Sequence, residues 1–164
     1  MGKVYTRQDL QVQVNYWRKE GKSIVFTNGC FDILHRGHVE YLHKARSFGD
    51  ILVIGINSDS SVKILKGQNR PIIGEEDRAF LLSQLVMVDA VTLFDEETPY
   101  NLIRELKPDI LVKGGDYTIE QVVGRDIVED HGGEVVLIPL IPGRSTTDII
   151  SRMSKMIKEN HTGE

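Results

Sequence analysis

The chain has one cysteine, Cys30, and one tryptophan among its 164 residues. A lone thiol excludes an intrachain disulfide framework, so nothing in the composition calls for an oxidising compartment. No apolar run approaches the about 20 residues that span a bilayer, and the opening residues carry no apolar stretch of the signal-peptide kind. The expected setting is therefore cytoplasmic, with no membrane association. Basic residues are in the minority, 20 Lys and Arg against 24 Asp and Glu. That balance argues against a nucleic-acid partner, which calls for a basic face, yet leaves room for a local cationic pocket. No repeat, low-complexity tract or Pro/Gly-rich linker interrupts the chain, so one domain over 1–164 is expected.

What is present is an alternation. Short runs rich in Val, Ile and Leu at Ser23–Thr27, Asp50–Asn57, Ala90–Phe94, Asp109–Lys113 and Glu134–Ile138 read as five strands buried on both faces. Between them Gly37–Phe48, Glu75–Val86, Pro99–Leu106 and Ile119–His131 read as helices, and Thr147–Lys158 as a last one. Thr98 before Pro99 suits a helix start, and Gly49 and Gly132 stand where helices end. Residues 8–20 carry Leu10, Val14 and Trp17 on one face and read as an N-terminal helix packed outside the sheet. The whole predicts an α/β fold, a Rossmann-like, doubly wound, five-stranded parallel sheet with helices on both faces. Such a sheet binds ligands beyond the carboxyl ends of its strands, where the strand order reverses. The sheet with its crossover helices is expected over about 23–154.

The segments rich in chemistry all follow predicted strands. TNGCFDILHRGH, residues 27–38, leaves the first strand and opens the first crossover helix. Gly37 allows close backbone approach at a helix start, whose free N–H groups and positive dipole suit phosphate. His35 and His38, three apart, project at the same place and could donate to phosphoryl oxygens as charge builds up. Zinc is a weaker reading of the pair, because Cys30 stands alone and His43 lies further along the helix, so no third and fourth ligand is evident. No protein metal site is expected. After Asn57, a predicted loop carries Lys63, Lys66 and Arg70, cations able to reach over a triphosphate; a solvated charged loop is the plain alternative. Arg78 reads as a structural ion-pairing residue. Lys113-Gly114-Gly115-Asp116-Tyr117 offers close backbone approach and a carboxylate for sugar or base contacts, with a simple turn as the alternative. Gly143-Arg144-Ser145-Thr146-Thr147 precedes the last helix and can form a second phosphate cradle, or merely cap that helix.

TNGCFDILHRGH resembles the signature of the cytidylyltransferase-like branch of the HxGH nucleotidyltransferase superfamily. NSDSSVKILKGQNRPI, EEDRAFLL, LKPDILVKGGDY, GGEVVLIP and GRSTTDII follow in family-like order, so the likeness runs from about Ser23 to Ser154. Within the branch the pattern is similar to the adenylyltransferase domain of bacterial ADP-heptose synthesis enzymes. The resemblance implies transfer of AMP from ATP to D-glycero-D-manno-heptose 1-phosphate, with Mg2+ on the triphosphate and no organic cofactor. It implies His35, His38 and Lys66 as catalytic residues. Nucleotide contacts would come from Asn28, Gly29, Cys30, Phe31, Gly37, Gly115, Asp116, Arg144, Ser145, Thr146 and Thr147. Asp32, Asn57 and Arg70 would serve the acceptor.

A cytidylyltransferase acting on glycerol 3-phosphate or another polyol phosphate, and a non-catalytic nucleotide-binding module, stay open as alternatives. A homodimer or higher homo-oligomer is also compatible with the sequence. Arg152–Met156 spells part of a KMSKS-like loop. Ile149, Ile150, Met153 and Ile157 at core spacing instead place it in the last helix.

Overall fold

A computed structural model of the chain describes residues 2–115, 118–139, 143 and 145–161. Its elements run in the order β1 (Lys3–Val4), α1 (Arg7–Lys19), β2 (Ile24–Gly29), α2 (Arg36–Arg46), β3 (Ile51–Asn57), α3 (Asp59–Lys66) and α4 (Glu75–Ser83). Then come β4 (Ala90–Phe94), α5 (Tyr100–Leu106), β5 (Ile110–Gly114), a 3-10 turn (Ile119–Gln121), α6 (Arg125–Asp130), β6 (Glu134–Ile138) and α7 (Thr146–His161). All strand pairs are parallel, in the spatial order β1-β4-β3-β2-β5-β6. The chain therefore starts its main sheet at β2, winds outward through β3 and β4, then returns to the other side of β2 for β5 and β6. The order reverses at β2, so the crevice of a doubly wound sheet opens above the carboxyl ends of β2 and its neighbours.

Alternate side chains of each buried strand enter different cores. Ile24, Phe26, Val53 and Leu111 pack with Leu10, Val14, Leu102, Ile103, Leu106 and Val128 from α1, α5 and α6. Val25, Leu52, Ile54, Ile56 and Val112 pack with Leu42, Ala45, Ala79 and Leu82 from α2 and α4. Burial on both faces explains the near-continuous aliphatic runs.

The α/β architecture is as expected, with four local corrections. The sheet has six strands, because two residues, Lys3 and Val4, pair with Ala90 and Val91 at its edge. They are exposed and too short to show any periodicity. The charged loop expected after Asn57 is largely helical. Ser58 caps α3 by accepting from Ser61 N–H at 3.3 Å, and Lys63 and Lys66 lie in its last turn, where cations suit the dipole. The single helix expected over Ile119–His131 is split, because Gly124 adopts φ +86° and separates the 3-10 turn from α6. Finally, of the four apolar residues expected in the α7 core, Ile149 and Ile150 are half-buried, whereas Met153 and Ile157 are 54% and 57% exposed, so they are not core.

Helix ends differ in smaller ways. α2 stops at Arg46 and Gly49 is not its cap; a Cβ there would lie 2.7 Å from Val25 Cγ2, so Gly49 permits a close packing contact. α5 begins one residue late, with Pro99 flanking it and no side-chain cap. Gly132 follows α6 with φ +76°, as a helix end should.

Candidate active site

The path from β2 to α2 is held in an unusual shape. Phe31 and Ile33 adopt φ +49° and +53°, a region costly for an aromatic and a β-branched side chain. Such strain persists only where surrounding contacts over-determine it. Here the Phe31 ring is buried and meets His38 edge-on, with centroids 5.2 Å apart. Gly29 makes room for it, since a Cβ at Gly29 would lie 3.0 Å from Phe31 Cε2. The result is that β2 ends at Gly29 and α2 begins at Arg36, with His35 as its N-cap and His35, Gly37 and His38 lining a cavity.

His35 and His38 stack face to face, centroids 3.8 Å apart and planes 20° apart. Burial, and then repulsion from His35, push the His38 pKa down to about 4, against a smaller opposing pull from Asp32. His38 is therefore a neutral imidazole near pH 7. Its Nδ1 is buried without a hydrogen-bond partner among the described residues.

Asp32 organises the opposite wall. Its carboxylate accepts from Arg70 Nε at 2.6 Å and from the backbone N–H groups of Ile72 and Ile73 at 2.9 Å each. Burial alone would raise its pKa, but these donors overcome that and hold it lowered. Its side chain is 0% exposed, while Arg70, which it braces, is 18% exposed. The Asp32 carbonyl also accepts from Thr146 Oγ1 at 2.7 Å, tying the start of α7 to the same loop. The side chain that caps α7 is that of Ser145, accepting from Asp148 N–H at 3.1 Å, rather than the expected Thr146 or Thr147.

Two adjoining cavities, of about 470 and 440 Å³, share the end of β2 as their dividing wall. The first gathers Asp32, Asn57, Lys66, Arg70 and Thr147; the second gathers His35, Gly37 and Ser145. Asn28, Gly29, Cys30, Phe31, His38 and Thr146 line both. Gly115 lies after β5 but lines neither cavity, and Asp116 and Arg144 lie outside the described residues. Asn57 is buried and donates its Nδ2 to Ser61 Oγ at 2.9 Å. Burial raises the Cys30 thiol above its usual pKa despite nearby Lys66, Arg78 and Arg70, which suits a wall residue rather than a nucleophile. Arg78 is structural, as expected: it is 1% exposed, bonds the carbonyls of Cys30, Asn57 and Ile73, and pairs with Asp59.

The structure adds residues that sequence reasoning missed. Tyr41 and Lys44 line the second cavity, and they continue the three-residue spacing of His38 along α2, a signal that was available. Tyr41 OH meets Thr27 Oγ1 at 2.6 Å and donates to the Val112 carbonyl, and burial pushes its pKa up to about 12. Gln121, Val122 and Val123 roof the first cavity, hidden by the assumption of one continuous helix. Lys113 lines both cavities from the end of β5.

The sequence model of the cytidylyltransferase-like family matches residues 26–157. The chain belongs to that family. It is 57% identical over 151 residues to the bifunctional protein HldE of Syntrophotalea carbinolica, covering 92% of this chain and 31% of that protein. Against HldE of Geobacter sulfurreducens it is 58% identical over 142 residues, covering 87% and 29%. The chain thus spans about a third of the length of the curated relatives it matches. Among solved structures, a lipopolysaccharide core biosynthesis protein from Thermoplasma volcanium superposes with TM-score 0.61 at 31% identity, covering 74% of this chain and 98% of that one. Pantoate-beta-alanine ligase from Francisella tularensis shares the fold, with TM-score 0.62 at 16% identity over 91% of this chain and 76% of its own. The family's matched span begins inside β2 and runs into α7, so it contains every wall of both cavities.

Proposed function

We propose that the chain transfers AMP from ATP to a sugar phosphate, D-glycero-D-manno-heptose 1-phosphate, releasing pyrophosphate and ADP-heptose. The observation that carries this reading is the shared wall. Two cavities large enough for a nucleotide and a sugar phosphate meet at His38 and the end of β2, in a member of this family. The identity with HldE proteins supports the choice of acceptor.

In the proposed reaction an oxygen of the acceptor phosphate forms a bond to the α-phosphorus. The bond from that phosphorus to the oxygen bridging the β-phosphate breaks, and pyrophosphate leaves with the electron pair. The attacking oxygen is already anionic, so no general base is required. Catalysis is positioning plus charge neutralisation. His35, His38 and the N-terminus of α2 would bind the α- and β-phosphates, Ser145 and Thr146 the pyrophosphate portion, and Lys66 the charge that develops on transfer. Arg70, braced by Asp32, would orient the acceptor phosphate.

Among the described residues no group of three or more His, Cys, Asp or Glu side chains converges as a metal cage. The donor set fits magnesium carried in by the triphosphate and held largely by phosphate and water. No helix among the described residues is long and apolar enough to cross a membrane.

The test is pyrophosphate release with ATP and with CTP across a panel of heptose, hexose and polyol phosphates. ATP with heptose 1-phosphate should give the highest kcat/KM. A preference for CTP with glycerol 3-phosphate would replace this reading by a cytidylyltransferase, and nucleotide binding without turnover would replace it by a binding module.

A further inference from the structure

We infer that Glu97 is a specificity-determining residue of the transfer proposed above, its carboxylate accepting hydrogen bonds from hydroxyls of the sugar held in the first cavity. The inference rests on that reading and adds to it the group that tells a sugar phosphate from a bare phosphate.

Two carboxylates line the first cavity among the described residues, those of Asp32 and Glu97. Asp32 is engaged by Arg70 and by the backbone N–H groups of Ile72 and Ile73. Glu97 is exposed and makes no hydrogen bond or ion pair with a described residue, although Lys66 and Arg70 line the same cavity. An ionised carboxylate only accepts, so what it lacks is a donor.

The neighbouring residue holds Glu97 in place. Glu96 pairs with Arg7 of α1 at 2.9 Å, and its carbonyl accepts from Ser61 Oγ of α3 at 3.0 Å. Ser61 in turn accepts from Asn57 Nδ2 at the end of β3. The segment between β4 and α5 is thus fixed from two helices, and Glu97, Thr98 and Pro99 are presented to the cavity in sequence. A ligand group that is already placed costs little ordering when substrate arrives.

The rest of that cavity suits a sugar. Buried Pro99, Leu111 and Val122 line it and offer apolar surface to the C–H face of a ring, while Lys66 and Arg70 answer the phosphate. A carboxylate in a cavity for anions repels a bare phosphate and is offset only by a ligand that brings donors with it. Hydroxyls bound to a carboxylate make charge-assisted hydrogen bonds, and a site built for them discriminates against an analogue without them.

The experiment compares wild type with Glu97→Ala and Glu97→Gln. D-glycero-D-manno-heptose 1-phosphate and, separately, inorganic phosphate are titrated calorimetrically onto protein saturated with magnesium and α,β-methylene-ATP, which cannot release pyrophosphate. Glu97→Ala should weaken heptose 1-phosphate binding by about tenfold or more. Inorganic phosphate should bind Glu97→Ala as well as wild type or more tightly, because a negative charge has gone. Glu97→Gln keeps one acceptor oxygen without the charge and should fall between. In turnover, KM for the sugar phosphate should rise by about tenfold in Glu97→Ala, with KM for ATP unchanged.

Equal heptose 1-phosphate binding by wild type and Glu97→Ala, or none by wild type, overturns the assignment. So does an equal weakening of both ligands, which would mean that Glu97 acts on the phosphate end or on the fold. Glu97→Ala should melt within about 2 °C of wild type, since no protein partner is lost. If it melts early, the isosteric Glu97→Gln decides by the same two titrations. A wild type that binds heptose 1-phosphate through Glu97 but releases no pyrophosphate with any nucleotide and acceptor would instead overturn the transfer reading, leaving the sugar contact standing.

Discussion

Thr146 donates its hydroxyl to the carbonyl of Asp32 at 2.7 Å, joining two segments 114 residues apart in the chain. Asp32 in turn holds Arg70 and the backbone of Ile72 and Ile73. One residue therefore sets the distance between the start of α7 and the cationic wall of the first cavity. Thr146→Val keeps the shape and removes the donor. It should cost about 1 kcal/mol in urea unfolding and raise KM for ATP several-fold, with kcat falling less.

Asp32→Asn tests the other side of the same residue. The amide can accept from one backbone N–H but offers Arg70 no charge. The ion pair is buried on the carboxylate side, so stability should fall by about 2 kcal/mol, measured by urea unfolding. KM for the acceptor should rise more than KM for ATP. An equal rise in both would show that Arg70 does not serve the acceptor selectively.

Lys66 separates catalysis from folding. It is exposed at the end of α3 and lines the first cavity, so nothing in the core depends on it. Lys66→Ala should leave the melting temperature within about 2 °C of wild type, since such surface substitutions are nearly neutral. Its kcat should drop by about 100-fold. A kcat close to wild type would remove Lys66 from the mechanism.

Arg78 makes the opposite case. Its buried guanidinium holds three carbonyls from three different segments, plus Asp59. Arg78→Ala leaves those carbonyls and Asp59 unpaired and should destabilise the fold by about 3–5 kcal/mol, read by thermal or urea unfolding. Lost activity should track lost folded protein, with the KM of the remaining folded fraction little changed.

His38 ties stability to pH. Its folded pKa, about 4, lies below the ordinary histidine value of 6.5, so the unfolded chain binds more protons between those values. The folded state should lose stability as pH falls from 6.5 toward 4, and the loss attributable to His38 should be absent above pH 7. The shift amounts to about 3 kcal/mol at the acid end. His38→Asn should flatten this part of the stability profile by about that amount while abolishing most turnover. An acid limb of stability as steep in His38→Asn as in wild type would place the titrating group elsewhere.

Much of the site was legible because its chemistry sits in short contiguous segments. TNGCFDILHRGH spells the strand end, the strained loop and the helix start in order, and local geometry alone brings His35 and His38 together. Residues 57–70 were harder. Lys63 and Lys66 suggested an exposed loop, whereas Ser58 caps a short helix whose buried face is little more than Ser61 and Val62. Too few apolar positions showed for a period to stand out. α7 failed in the other direction: a helical pattern of Ile and Met promised core, but burial needs a partner surface, and pattern cannot show whether one arrives.

By itself the sequence determined five of the six strands, most of the helices and the α/β class, and it singled out the β2–α2 segment as a candidate phosphate site. These depend on period, capping and local backbone geometry. Only the tertiary structure decided which residues share a wall. It set Asp32 as the brace for Arg70, made Arg78 a link between three segments, and brought Lys113 to Asn28 across two strands 85 residues apart in sequence. The physical reason is that strand order is non-local. Parallel neighbours in a doubly wound sheet come from distant parts of the chain, so the junction of the two cavities is assembled by topology rather than by any stretch of sequence.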